Sequence, residues 1–131
     1  MIYLRSVKKI LNSMIYDFFV TQNFKQETKR LLKKYPSLTS DLQEFRNEYS
    51  NFSGVDLGNG FRKIRLRIKS KGVGKSGGGR IITKHIDIVV SEEGKEVQTI
   101  VLVDIYDKSE RESISESRYN QIFEEYIKSL Q

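Results

Sequence analysis

The chain of 131 residues has no cysteine and no tryptophan, one proline (Pro36) and one histidine (His85). Without cysteine there is no disulfide framework and no thiolate-held metal or cluster. A single histidine excludes a multi-histidine metal site and catalysis by a histidine pair. No stretch approaches the roughly 20 consecutive apolar residues that cross a bilayer. The basic start is followed by Asn12, Ser13 and Asp17, which interrupt any apolar signal run, so a cytoplasmic protein is expected. The length suits one domain, large enough to bury a sizeable core.

Acidic residues are absent from one long segment. Between Leu57 and Ile86 stand nine basic residues and no acidic one: Arg62, Lys63, Arg65, Arg67, Lys69, Lys71, Lys75, Arg80 and Lys84. The rest of the chain holds 14 basic and 17 acidic residues. A block of like charge repels itself unless an anion binds it. Placed on a folded strand, it points to a polyphosphate partner, that is, nucleic acid. A solvated basic face is the plainer alternative.

Periodicity organises the remainder. Ile15 to Val20 reads as a strand rich in aromatic and β-branched residues. Asn23 with Gln26 marks a helix start, and Phe24, Thr28, Leu31, Leu32 and Tyr35 keep one helical face up to Pro36. Ser40 with Gln43 starts a second helix striped by Leu42, Phe45 and Tyr49, so YPSLTS joins a helical hairpin. A loop with Gly54, Gly58 and Gly60 follows. Phe61 to Ile68 alternates, with Ile64, Leu66 and Ile68 on one side and Lys63, Arg65 and Arg67 on the other. A Gly-rich connection, Ser70 to Gly79, leads to a strand over Arg80–Val90. Ser91 to Glu96 is a hairpin turn. Val97 to Tyr106, apolar on both sides, reads as a central strand. Ser115 caps a last helix carrying Tyr119, Ile122, Phe123, Tyr126, Ile127 and Leu130.

The expected fold is therefore α+β: a small antiparallel sheet made of a first strand and a three-strand meander, with a helical hairpin and a C-terminal helix. The cationic strand face is expected to stay open. Residues 1–13 fit this plan poorly. Met14 stands directly before the first strand, so residues 14–131 are expected to form the domain and residues 1–13 a dispensable extension; an amphipathic cap built on Leu4, Val7 and Leu11 is the alternative.

KSKGVGKSGGG is not a nucleotide-binding phosphate loop, because Lys69 stands where the first glycine is required and the segment joins two strands rather than opening a helix. It reads as a basic flap with Lys71 and Lys75 as its charges, or as a simple linker. His85, in mid-strand, reads as a structural residue. Tyr106, at a strand end beside Asp107 and Lys108, is a candidate for base stacking or proton handling, or else a core tyrosine. Asp104, Asp107, Glu110 and Glu112 lack a ligand pattern and read as solvated charge or as partners of the basic strand.

The run FRKIRLRIKSKGVGKSGGGRIIT, followed by VLVDIYDKSERESIS and preceded by FKQETKRLLKKYPSLTSDL, resembles the RelE/ParE superfamily of bacterial toxins, in particular its RelE/HigB-like branch. The likeness covers about Met14 to Leu130. It implies a RelE-like α+β toxin encoded beside an antitoxin. RelE-like members cut mRNA in the ribosomal A site through the substrate's own 2′-hydroxyl, without a metal or cofactor; ParE-like members block DNA gyrase. The implied partners are a cognate antitoxin, the ribosome and mRNA, with operator DNA reached only through the antitoxin, and no membrane. The basic positions of the pattern fall on Lys63, Arg65, Arg67, Arg80 and Lys108. The pattern's later tyrosine is replaced by Ile114, which leaves Tyr106 or a lysine for that role.

Transesterification of RNA needs a base, a clamp for the phosphorane and a proton for the departing oxygen. Arginine cannot serve as base but suits bidentate phosphate contact. Lys63, crowded by Arg65 and Arg67, is the expected base, since like charges favour the neutral amine. Arg65, Arg67 and Arg80 are the expected clamp, and Lys108 supports the leaving oxygen. Arg62, Lys69, Lys71, Lys75 and Lys84 are expected to bind RNA more broadly. A purely RNA-binding module is the rival without chemistry.

Overall fold

The computed structural model describes residues 14–72 and 78–131. Its elements run β1 (Ile15–Val20), α1 (Gln22–Lys34), α2 (Leu38–Glu48), β2 (Val55–Gly58), β3 (Phe61–Leu66), a 3-10 turn (Lys69–Lys71), β4 (Gly79–Val90), β5 (Glu96–Asp107) and α3 (Glu116–Ser129). The expected α+β class is what the structure shows, with the helical hairpin and the C-terminal helix in place. Among the described residues no helix is long and apolar enough to cross a membrane. The proposed extension at residues 1–13 lies outside the described residues.

The five strands form one sheet in the order β1-β5-β4-β3-β2. It is mixed rather than antiparallel throughout, because β1 pairs parallel with β5. A parallel neighbour needs a long crossover, and the whole α1–β4 segment supplies it. β5 has partners on both edges and helices over both faces, which is why its sequence is apolar without alternation. The fifth strand, β2, lies in what was expected to be loop; it pairs with β3 across a tight turn where Asn59 and Gly60 both take positive φ.

Two cores sandwich the sheet. On one face α1 and α2 pack Phe24, Leu31, Leu38, Leu42 and Phe45 against Ile64, Leu66, Ile81, Ile100 and Leu102. On the other, α3 lays Tyr119 and Ile122 over Phe61, Ile82, Val101 and Val103. Phe61 anchors that contact, with ring centroids 4.7 Å from Tyr119 and 5.8 Å from Phe123. Truncating a fully buried residue such as Leu31 removes about 2–5 kcal/mol.

Two helix starts differ from expectation. Thr21, not Asn23, caps α1: its hydroxyl accepts from the Phe24 amide at 3.0 Å and donates to the Val103 carbonyl at 2.7 Å. The cap thereby also ties α1 to β5, and Asn23 is left to donate to Asp104 at 2.6 Å. α2 begins at Leu38 rather than Ser40, with Ser37 donating to Asp41 at 2.6 Å. Ser115 caps α3 as its sequence indicates.

Candidate nucleic-acid interface

Alternation along β3 sends Phe61, Lys63 and Arg65 to the α3 face and Arg62, Ile64 and Leu66 to the α1/α2 face. α3 packs on Phe61, while Arg65 towards the far end of the strand is exposed. Across the ladders, Arg65 is directly opposite Arg80, and Arg80 is directly opposite Tyr106. Lys63 is opposite Ile82 on one side and Val55 on the other. Residues directly opposite share a face, so Lys63, Arg65 and Arg80 stand together. Arg67, past the strand end, and Lys108, past the end of β5, join them around an open cleft of about 730 Å³. The Lys108 ammonium donates to the Glu112 carbonyl at 2.9 Å.

The cleft wraps the outer edge of β3 beyond its short pairing with β2. Its opposite wall is α2, which contributes Asp41, Glu44 and Glu48. The site is therefore a cationic floor beside an anionic wall. Glu44 holds Lys69 at 2.9 Å and raises its pKa.

The basic segment is thus divided rather than laid out on one open surface. Arg62, expected to contact RNA, lies on the opposite face; its guanidinium donates to the carbonyls of Ser53 at 2.7 Å and Gly54 at 3.3 Å. Lys84, also expected there, spans the rings of Phe61 and Phe123, 4.4 Å and 5.3 Å from their centroids, and donates to the Asn59 carbonyl. Lys69 turns to Glu44. Lys71 is paired at 2.6 Å with the fully buried Asp107. Lys75 lies outside the described residues. The cause is local: strand alternation separates neighbours in sequence, and carboxylates distant in sequence capture the lysines at the turn.

Asp107 and Asp104, expected as solvated charge or as strand partners, are both buried. Burial alone would push the Asp107 carboxyl up, but Lys71, the Tyr35 hydroxyl at 2.5 Å and Ser109 outweigh it and hold it well below the usual carboxylate range. This hub joins the C-terminus of α1, the end of β5 and the start of the glycine-rich connection. Burial raises the Asp104 pKa, opposed by Arg111 at 3.5 Å.

Tyr106 is 1% exposed, within the core beneath α3, with the Arg111 guanidinium 5.2 Å from its ring centroid. A ring so enclosed has no face left for a base. Its hydroxyl has no hydrogen-bond partner among the described residues, and burial raises its pKa. His85 is half-buried on the α1/α2 face, with Nε2 against the Tyr49 hydroxyl.

No protein-family model matches the chain, and no curated protein matches it in sequence.

Proposed function

We propose that this protein is the toxin of a bacterial toxin–antitoxin module, a ribosome-dependent endoribonuclease that arrests translation in the cytoplasm. The single observation that carries the reading is the placing of Lys63, Arg65 and Arg80 on one face of the sheet, all three lining one cleft. The resemblance of the RKIRL, GKSGG and YDKSE segments to RelE-type toxins supports it.

In this reading the 2′-oxygen of a ribose attacks the adjacent phosphorus and the P–O5′ bond breaks. Lys63 takes the 2′-proton. Arg65 and Arg80 grip the two non-bridging oxygens, with Arg67 extending the contact, and Lys108 delivers a proton to the departing 5′-oxygen. Clamps of this type act where charge develops and supply the larger part of the acceleration, while a positioned base adds about 10²- to 10⁴-fold. The ribosome holds the mRNA bent for in-line attack. Binding falls steeply with salt. The cognate antitoxin is expected to cover the cationic floor.

The test is 5′-end mapping of transcripts after induction, in the wild type and in Lys63→Ala and Arg80→Ala. Codon-phased cuts on translated messages, lost in both folded variants, support the nuclease. DNA breaks with uncut messages place the protein with the gyrase inhibitors instead. Full toxicity in both folded variants removes the assigned roles.

A further inference from the structure

The sequence offered Tyr106 as a stacking residue, and its burial leaves that role unfilled. A different aromatic stands in the open. Phe52, in the connection between α2 and β2, is 89% exposed, and Val55, three residues on, is 60% exposed. Scattered exposed apolar residues need no explanation. This pair differs in two respects.

The first is position. Val55 is the direct cross-strand partner of Lys63, so its side chain extends the same face as the candidate base. Ser53, Gly54 and Val55 line the cleft with Lys63 and Arg65. Gly54 is packed so closely on β3 that a Cβ there would fall 2.3 Å from the Lys63 carbonyl oxygen. Phe52 is two residues from that contact, about 7 Å of chain at most.

The second is the way it is held. The Phe52 amide donates to the Ser50 hydroxyl at 3.3 Å, the Asn51 amide to the Tyr16 hydroxyl at 3.1 Å, and the Ser50 amide to the Ser53 hydroxyl at 3.0 Å. Arg62 clamps the Ser53 and Gly54 carbonyls from the far side of the sheet. The loop is tied at each residue from Ser50 to Gly54, and its tip is an aromatic ring in water.

We infer that Phe52, with Val55 beside it, is a base-stacking platform, which seats the base of a single-stranded RNA nucleotide while Arg65 and Arg80 hold the neighbouring phosphate. Every base has a π-face, so the platform adds affinity without reading sequence. Arg62 is then a positioning residue, fixing the loop rather than touching RNA. The inference rests on the RNA reading of the cleft and names a residue that reading does not contain.

The probe is a short single-stranded RNA with 2′-O-methyl riboses, which cannot be cut, and its abasic counterpart, both followed by fluorescence anisotropy at low salt. Phe52→Ala is expected to weaken binding of the intact strand by roughly 5- to 150-fold, the span of a base–aromatic stack, and to leave the abasic strand unchanged. Phe52→Trp should retain tight binding. Arg65→Gln should weaken both strands alike. Because Phe52 is exposed, its variants should melt as the wild type does. Equal affinity of Phe52→Ala and wild type for the intact strand, with Arg65→Gln impaired, overturns the platform and leaves the nuclease reading standing. A wild-type protein that binds neither strand overturns the RNA reading itself.

Discussion

Arg65 and Arg80 stand directly opposite each other across the β3–β4 ladder, on one face of the sheet. Arg80 is 8% exposed, and its guanidinium donates to the Gly79 carbonyl at 2.9 Å. Two guanidiniums facing one another across a ladder present paired donors to a single anion.

Arg65→Thr removes one of the two guanidiniums. On the nucleic-acid reading of the cleft it should lower affinity for single-stranded RNA and for inorganic phosphate alike. Phosphate should then raise the urea midpoint of the wild type more than that of the variant. Equal stabilisation of the two by phosphate would contradict the relationship.

The Asp107 hub makes a second prediction. Asp107 accepts from Lys71 at 2.6 Å and from Tyr35 at 2.5 Å, and it has no exposure. Asp107→Asn removes the carboxylate that accepts from Lys71, Tyr35 and Ser109, and breaking a buried pair in this way costs about 3–5 kcal/mol. The carboxyl is held below its usual value, so its stabilisation is present above about pH 3.8 and is lost as pH falls towards the depressed folded value. Acid titration of the unfolding midpoint should steepen below pH 4 in the wild type and flatten in Asp107→Asn.

His85 acts in the opposite sense to a salt-bridged histidine. Burial, then the nearby Arg62, lowers its pKa below 6.5, with Asp56 opposing and the Tyr49 hydroxyl against Nε2. The unfolded chain binds the proton first, so stability is full above pH 6.5 and declines as pH drops below it. His85→Gln should remove this part of the pH dependence between pH 5 and 7.5. A wild-type protein equally stable at both values would refute it.

Tyr106→Phe separates a core tyrosine from a chemical one. The hydroxyl is buried without a partner among the described residues, so its removal is expected to change stability by no more than about 0.5 kcal/mol, or to increase it. On the toxin reading, growth arrest should be unchanged. Loss of toxicity in a stable Tyr106→Phe would return the residue to the site.

Much of the architecture is legible in local pattern because its causes are local. β1, the hairpin of α1 and α2, the alternation of β3, the doubly buried β5 and the Ser115 cap each follow from periodicity or capping within a few residues. β2 was missed because Val55–Gly58 is too short and too exposed to carry a hydrophobic signal. The parallel pairing of β1 with β5 was missed because pairing partners some 80 residues apart leave no trace in either segment. Of the site, Lys63, Arg65, Arg67, Arg80 and Lys108 do meet at one cleft, whereas Arg62 and Tyr106 went elsewhere for reasons of face and burial.

What the amino-acid order settled alone is chemistry and period: an acid-free run of thirty residues, no thiols, one imidazole, and a segment in which Lys63, Arg65 and Arg67 alternate with Ile64, Leu66 and Ile68. What required three dimensions is which charges act together. Arg65 and Arg80 are fifteen positions apart and become neighbours only through the ladder; Lys71 is captured by an aspartate thirty-six positions away; Val55 joins the face of Lys63 only through the β2–β3 pairing. Side-chain type is inherited from sequence, but the field at a surface is a sum over neighbours in space, and folding chooses those neighbours.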